Sequence, residues 1–259
     1  MSTAVSRVLA CLLEKEVPFH LVPVSLAKAH HKSFPRLPQP AGHLPLSVTS
    51  KLREVEGGEV TPFGQVPAFQ DGDVTLFESR AICRYICDKF VGQGNQSLMG
   101  PEGGGAAGRA AVDQWVEAEA QSFNPPSTAL VFQLVFAPKM RLKQDPNATR
   151  DAEGRLRKVL DVYERRLGGS RFLAGEEFSL ADLCHLPNAH YLVAETDKGQ
   201  QLLSSRRNVA RWWEEISGRA PRGRRSSRCG AMQLLEFSFP VSLTLYLLLV
   251  SVSRQENAV

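Results

Sequence analysis

Little in this sequence points outside the cell or across a membrane. Five cysteines (Cys11, Cys83, Cys87, Cys184, Cys229) are an odd number at irregular spacing in 259 residues. They lack the pairing of a secreted disulfide scaffold and the clustered spacing of a zinc site, so a reducing compartment is the simpler reading. The first residues, Met1-Ser2-Thr3-Ala4-Val5-Ser6-Arg7, carry no basic segment followed by an unbroken apolar core and a small-residue cleavage site. No secretory leader is indicated, and the cytosol is the expected location. Charge bias is also small: 31 Lys and Arg against 27 Asp and Glu, too even and too scattered for nucleic acid to be the main partner. The arginine-dense residues 219–228 are the exception: the run Arg222 to Arg228 could bind nucleic acid or a receptor for nuclear import, but in an unpatterned tail it reads more often as solvated. The uncharged run 237–253 falls short of the roughly 20 residues a bilayer needs and includes Pro240 and several hydroxyls, so a membrane anchor is the weaker reading of it.

What is present is an α/β front half and a helical back half. Val5, Val8, Leu9, Leu12 and Leu13 recur at helical spacing over residues 3–16, with Ser2 as N-cap. Residues 19–24 read as a short strand. Residues 66–70 and 74–77 read as a hairpin around Asp71-Gly72-Asp73, and 79–90 return to helical periodicity. Residues 34–59 hold four prolines and no sustained period, which reads as a long loop or insertion. The glycine-rich stretch 92–108 reads as a linker. Behind it, 110–136 has a helical pattern that Pro125-Pro126 should bend or break. Further helices are expected at 148–167, from Ser179 with Asp182 completing a short capping box, and at 209–217. Trp115, Tyr163, His185, His190, Trp212 and Trp213 read as packing residues. Cys83 and Cys87, one turn apart, read as small apolar groups on a buried face.

The informative constellation is Gln65-Val66-Pro67 before a strand and Glu78-Ser79-Arg80-Ala81-Ile82 opening a helix. A proline at the mouth of a strand can hold a cis bond that turns the preceding amide and carbonyl outward, where an extended peptide can pair with Val66. Ser79 at a helix start offers a hydroxyl and backbone N–H groups to a carboxylate. Glu78 beside it can meet an ammonium group. His31 and Lys32 supply cations for a second carboxylate. Together these features suit a small peptide with one amino-acid-like end.

The run from Pro62 to Asp73 (Pro-Phe-Gly-Gln-Val-Pro-Ala-Phe-Gln-Asp-Gly-Asp), with Leu76-Phe77-Glu78-Ser79-Arg80-Ala81-Ile82 after it, closely resembles the glutathione-binding region of phi-class glutathione transferases of plants. His31-Lys32-Ser33, Phe172-Leu173-Ala174-Gly175 and Ser179-Leu180-Ala181-Asp182-Leu183 are similar to that family's patterns too. The resemblance implies a thioredoxin-like N-terminal domain at about 1–91, an all-helical C-terminal domain at about 109–218, and transfer of glutathione's sulfur to small hydrophobic electrophiles by a homodimer. It implies that Gln65 and Val66 hold the cysteinyl part of glutathione, that Glu78 and Ser79 hold its γ-glutamyl end, and that His31 and Lys32 reach its glycyl carboxylate. Pro67 would be structural, and the electrophile would sit between the domains. Ser2 matches the family's catalytic serine. A free thiol has a pKa of roughly 8.5, and a hydroxyl donating to its thiolate near a helix N-terminus lowers that value and raises the reactive fraction. Neither metal nor redox cofactor is required; glutathione is a co-substrate.

Three departures accompany the resemblance. The family's opening strand, which lies between two others in the sheet, has no counterpart before Ser2, and its loss would leave interior backbone groups unpaired. Residues 34–60 resemble nothing in the family, and 219–259 depart from it, which sets that tail outside the expected fold. Two other functions stay open at this level: a carrier that binds glutathione or apolar ligands without turnover, and a tail-anchored membrane protein.

Overall fold

The computed structural model describes residues 2–25, 63, 65–219 and 246–251. The chain divides into two units, Met1–Gly94 with Phe239–Val259, and Asn95–Ser238.

The first unit is a small sheet with two helices. Helix α1 spans Thr3–Glu14. Val5, Val8, Leu9 and Leu12 of the expected apolar stripe are buried in it while Leu13 is half-buried, and Ser6, Arg7, Ala10 and Cys11, which lie off that stripe, are buried too. Strand β1 is His20–Ser25, and β2 (Ala68–Asp71) pairs antiparallel with β3 (Val74–Phe77), from Ala68 opposite Phe77 to Asp71 opposite Val74. Gly72 at φ +58 makes the tight turn between them, a left-handed conformation that costs glycine nothing. Helix α2, Ser79–Lys89, buries Ile82, Cys83, Ile86 and Cys87. The two isoleucines alone contribute roughly 3 to 6 kcal/mol of apolar burial.

A fourth strand, β4, is Tyr246–Ser251, and it lies inside the sheet, whose order is β1-β4-β2-β3. It runs antiparallel to β1, from His20 opposite Ser251 to Ser25 opposite Tyr246, and parallel to β2, with Phe69 opposite Val250. This corrects the expectation that residues 219–259 stand outside the fold: six residues of that tail form an interior strand. No strand precedes α1 among the described residues, and β4 supplies the backbone partners an interior position demands. Pro23 lies in β1, an edge strand of the sheet, where a missing amide is tolerated. None of the described helices is long and apolar enough to cross a membrane, and the described part of the uncharged run is sheet.

The second unit is helical. The stretch expected as a linker carries structure of its own: a 3-10 turn at Gln96–Met99, then α3 from Gly105 to Ala118. The prolines do not break the helical run behind it. A π turn, Glu119–Phe123, absorbs the change of register, and Pro125-Pro126 fall in the first turn of α4, Asn124–Val131, where an amide is unpaired in any helix. A second π turn, Phe132–Phe136, leads to the short α5, Ala137–Lys139. Helix α6, Pro146–Leu167, is capped by Asp145, whose carboxylate accepts from the Asn147 and Ala148 amides. After it come α7 (Leu180–Leu183), α8 (Leu186–Glu195), α9 (Asp197–Ser204) and α10 (Arg207–Ser217). The N-terminus of α10 is capped from outside, by Glu164 of α6 accepting from the Asn208 and Val209 amides.

The centre of this unit is a ring cluster around Tyr163. Its hydroxyl lies 2.9 Å from His185 Nε2, and His185 Nδ1 lies 2.8 Å from the Ala181 carbonyl. A carbonyl only accepts, so Nδ1–H donates to it and Nε2 accepts from Tyr163, whose phenol burial pushes well above its ordinary value. Trp115, Phe123 and Trp212 pack on the same ring. The capping box expected at Ser179 is also here, extended: Asp182 accepts from the Ser179 amide and hydroxyl, the Leu173 amide and Trp212 Nε1. Burial pushes that carboxyl up from its ordinary value against the donors that pull it down. Asp182→Ala strands all four donors in the core and is expected to cost about 3 to 5 kcal/mol in urea unfolding. Asp182→Asn, which keeps one acceptor oxygen, should cost less. A loss below about 1 kcal/mol for the alanine variant would show the network to be dispensable.

Candidate active site

The side chains of interest lie where α1, β2 and α2 begin. Ser2 is the N-cap of α1, in extended conformation (φ −65°, ψ 132°), and makes no capping hydrogen bond with its side chain. Its carbonyl accepts instead, from the Ser6 amide at 3.0 Å and the Ser6 hydroxyl at 3.1 Å. The Ser2 hydroxyl is therefore not used to hold the helix, and it sits half-buried at the helix's positive end.

At the mouth of β2, the Val66–Pro67 bond is cis, as the sequence suggests. Gln65 is exposed, Val66 half-buried and Pro67 buried, and all three precede the paired residues of β2, which start at Ala68. Glu78, the N-cap of α2, is exposed and sits at φ 65°, ψ 107°. A non-glycine residue there carries roughly 1 to 3 kcal/mol of strain, and such strain clusters at ligand sites. Glu78→Gly should therefore be more stable than Glu78→Ala by about 1 kcal/mol in urea unfolding, reversing the ordinary preference for alanine over glycine. Equal stabilities would show the backbone at Glu78 to be unstrained.

Ser79, the first residue of α2, is 3% exposed, and its Oγ accepts a 2.7 Å hydrogen bond from Arg7 Nη1 of α1. Arg7 is 2% exposed. It is absent from the candidates that the sequence singles out, because it lies off the apolar stripe of α1 and periodicity gives no sign that an arginine there is buried. Ser2 and Arg7 share α1, five residues or roughly 7.5 Å of helix rise apart, so one rigid element links the two serines. Gln65, Val66 and Pro67 lead directly into β2, and the tight turn after β2 brings the chain back along β3 to Glu78. His31 and Lys32, residues 34–60 and all of 219–259 except Arg219 and β4 lie outside the described residues.

Cys11, Cys83 and Cys87 are packing groups. Cys11 Sγ lies 3.8 Å from Cys87 Sγ and bonds the Cys83 carbonyl at 3.6 Å, and all three are buried between α1 and α2. The neighbouring Cys83 and Cys87 thiols, and then burial, hold the Cys11 thiol well above its ordinary value. It is an unreactive thiol by that measure. No group of three or more potential metal ligands is present among the described residues.

A four-stranded sheet with two helices, a cis-proline at a strand mouth, and a separate helical unit define a thioredoxin-like domain joined to an all-helical one. The N-terminal domain model of glutathione S-transferases matches residues 1–89, and the C-terminal domain model matches residues 124–220. Glutathione S-transferase F11 of Arabidopsis thaliana is 44% identical over 213 residues, 82% of this chain and 87% of that protein. The crystal structure of glutathione transferase F2 from Populus trichocarpa aligns with TM-score 0.72 at 52% identity, covering 84% of this chain and 90% of the other. Glutathione S-transferase I from mais, solved in complex with an atrazine glutathione conjugate, aligns with TM-score 0.68 at 34% identity, covering 85% of this chain and 89% of that one. The chain belongs to the glutathione S-transferase family, and within it to the plant phi class.

Proposed function

We propose that this protein is a working glutathione transferase that joins the sulfur of reduced glutathione to small hydrophobic electrophiles, in detoxification. The observation that carries this reading is the pairing of two serines at positive helix ends, Ser2 on α1 and Ser79 on α2, tied through the Arg7 hydrogen bond. A γ-glutamyl carboxylate at Ser79 and the first amides of α2, with its ammonium at Glu78, fixes one end of the tripeptide. The Val66 backbone pairs with the cysteinyl part, with Gln65 beside it, and His31 and Lys32 reach the glycyl carboxylate. Ser2 then donates to the sulfur.

The reaction is a nucleophilic displacement. The thiol proton leaves to solvent, the thiolate forms a carbon–sulfur bond, and the leaving group departs with its electron pair. No electrons are exchanged overall, so the thiol itself supplies all the chemistry and neither metal nor redox cofactor is needed. The protein contributes position and a lowered thiol pKa. Support for glutathione as the bound peptide comes from the mais relative, solved with a glutathione conjugate.

We place the protein in the cytosol as a homodimer. Phe63 is 68% exposed and packs edge-on against the exposed Phe77, an apolar pair that association would cover. The test of activity is conjugation of glutathione to a chloronitrobenzene-type acceptor by the purified full chain. Saturable turnover above the uncatalysed rate is expected. Tight glutathione binding without turnover would overturn catalysis in favour of a carrier.

A further inference from the structure

We infer that Arg7 is a positioning residue of the glutathione site, acting through the hydroxyl of Ser79; the inference rests on the proposed binding of glutathione. A serine hydroxyl has one proton to give and lone pairs to receive. Arginine has only donors, so the 2.7 Å bond from Arg7 Nη1 uses a lone pair of Ser79 Oγ and leaves the Ser79 proton directed elsewhere. Among the described residues no side chain or carbonyl accepts that proton. The arrangement converts Ser79 from a group of either polarity into a committed donor, and a committed donor at the positive end of a helix selects an anion.

Burial strengthens the effect. Arg7 and Ser79 are both almost fully excluded from solvent, where a charge acts through a lower dielectric than at the surface. Arg7 acts on the bound peptide through Ser79 Oγ, to which its Nη1 donates. Its charge polarises the Ser79 O–H toward the γ-glutamyl carboxylate, and its rigid attachment to α1 keeps that hydroxyl in register with Ser2. Lysine would supply the charge without the fork geometry.

The experiment compares Arg7→Met, Arg7→Lys and Ser79→Ala with the full wild-type chain, using calorimetry with glutathione and with an analogue lacking the γ-glutamyl α-carboxylate. Arg7→Met, close in volume and apolar, should bind glutathione roughly ten- to a hundred-fold more weakly. Its KM for glutathione should rise while its KM for the electrophile stays within about two-fold. Arg7→Lys should recover part of the loss. In a Ser79→Ala background Arg7→Met should have no further effect, because the hydroxyl through which it acts is gone. The carboxylate-free analogue should bind all variants equally.

Additive losses in the double variant, or equal rises in both KM values together with a lower melting temperature, would show Arg7 to be structural only. Unchanged glutathione affinity in both folded Arg7 variants would sink the inference and leave glutathione binding itself intact. If Arg7→Met does not fold, Arg7→Lys decides alone, by its glutathione affinity relative to wild type. A wild-type chain that binds no glutathione ends both.

Discussion

Leu249→Pro, or removal of residues 246–259, is expected to unfold the first unit while leaving the helices of the second intact. Strand β4 is interior: its amide donors lie between β1, which runs opposite all six of its residues, and β2, where Phe69 lies opposite Val250. A proline at position 249, opposite Val22 of β1, removes one of those donors in a place where the sheet tolerates none. Deletion is more severe. The β1 ladder has six residue pairs, and at about 1 kcal/mol net per backbone hydrogen bond the loss is roughly 6 kcal/mol, comparable with the whole stability of an ordinary domain. The deletion leaves an isolated β1 and the β2–β3 hairpin, and a lone hairpin is marginal in water. Hydrogen exchange should show protection lost across α1, β2 and α2 and retained in α6 and α10, with glutathione binding abolished. A truncated chain that keeps protected amides in β2 and binds glutathione normally would show that β4 is not needed.

The second large effect is chemical. Ser2→Ala should lower kcat/KM for conjugation roughly ten- to a hundred-fold, the value of one hydrogen bond to a charged acceptor. The acid limb of its pH–rate profile should move upward, toward the free thiol's value of about 8.5. In the proposed role Ser2 donates to the thiolate and favours it, so its removal should favour the thiol and shift the titration to higher pH. Stability should barely change. An alanine at an N-cap ordinarily costs about 0.5 to 2 kcal/mol, but the Ser2 side chain makes no capping bond to lose. The pairing of impaired chemistry with an unchanged melting temperature is the expected signature. Unchanged activity and an unchanged profile would remove Ser2 from the mechanism.

Much of this is legible in the sequence where structure is local. The apolar spacing of Val5, Val8, Leu9 and Leu12 places α1 to within two residues, and Asp71-Gly72-Asp73 marks the hairpin turn. Ser179 and Asp182 signal a helix start through chemistry confined to four positions. Long-range features are less visible. The residues of β4 share an uncharged run whose length invites comparison with a bilayer, and nothing within the run says that six of its residues pair with a segment more than two hundred positions earlier. The π turns hide for another reason: one extra residue in a helical turn shifts the periodicity without erasing it, so Pro125-Pro126 read as a break where they open a new first turn. The site divides in the same way. Gln65, Val66, Glu78 and Ser79 lie in contiguous motifs, whereas the Arg7–Ser79 hydrogen bond exists only because α1 packs on α2.

The place of β4 also sets an order of assembly. On a ribosome the first 94 residues emerge before the strand that pairs with β1 and β2, whereas the helices of the second unit come from one continuous stretch of chain. At about 5 to 20 residues per second, some 8 to 30 seconds separate the emergence of α2 from that of β4. Throughout that interval the inner edge of β2 is open to any extended chain nearby. The sheet of the unit carrying Ser2 and Ser79 is therefore complete only once the tail has emerged, after every helix of the second unit.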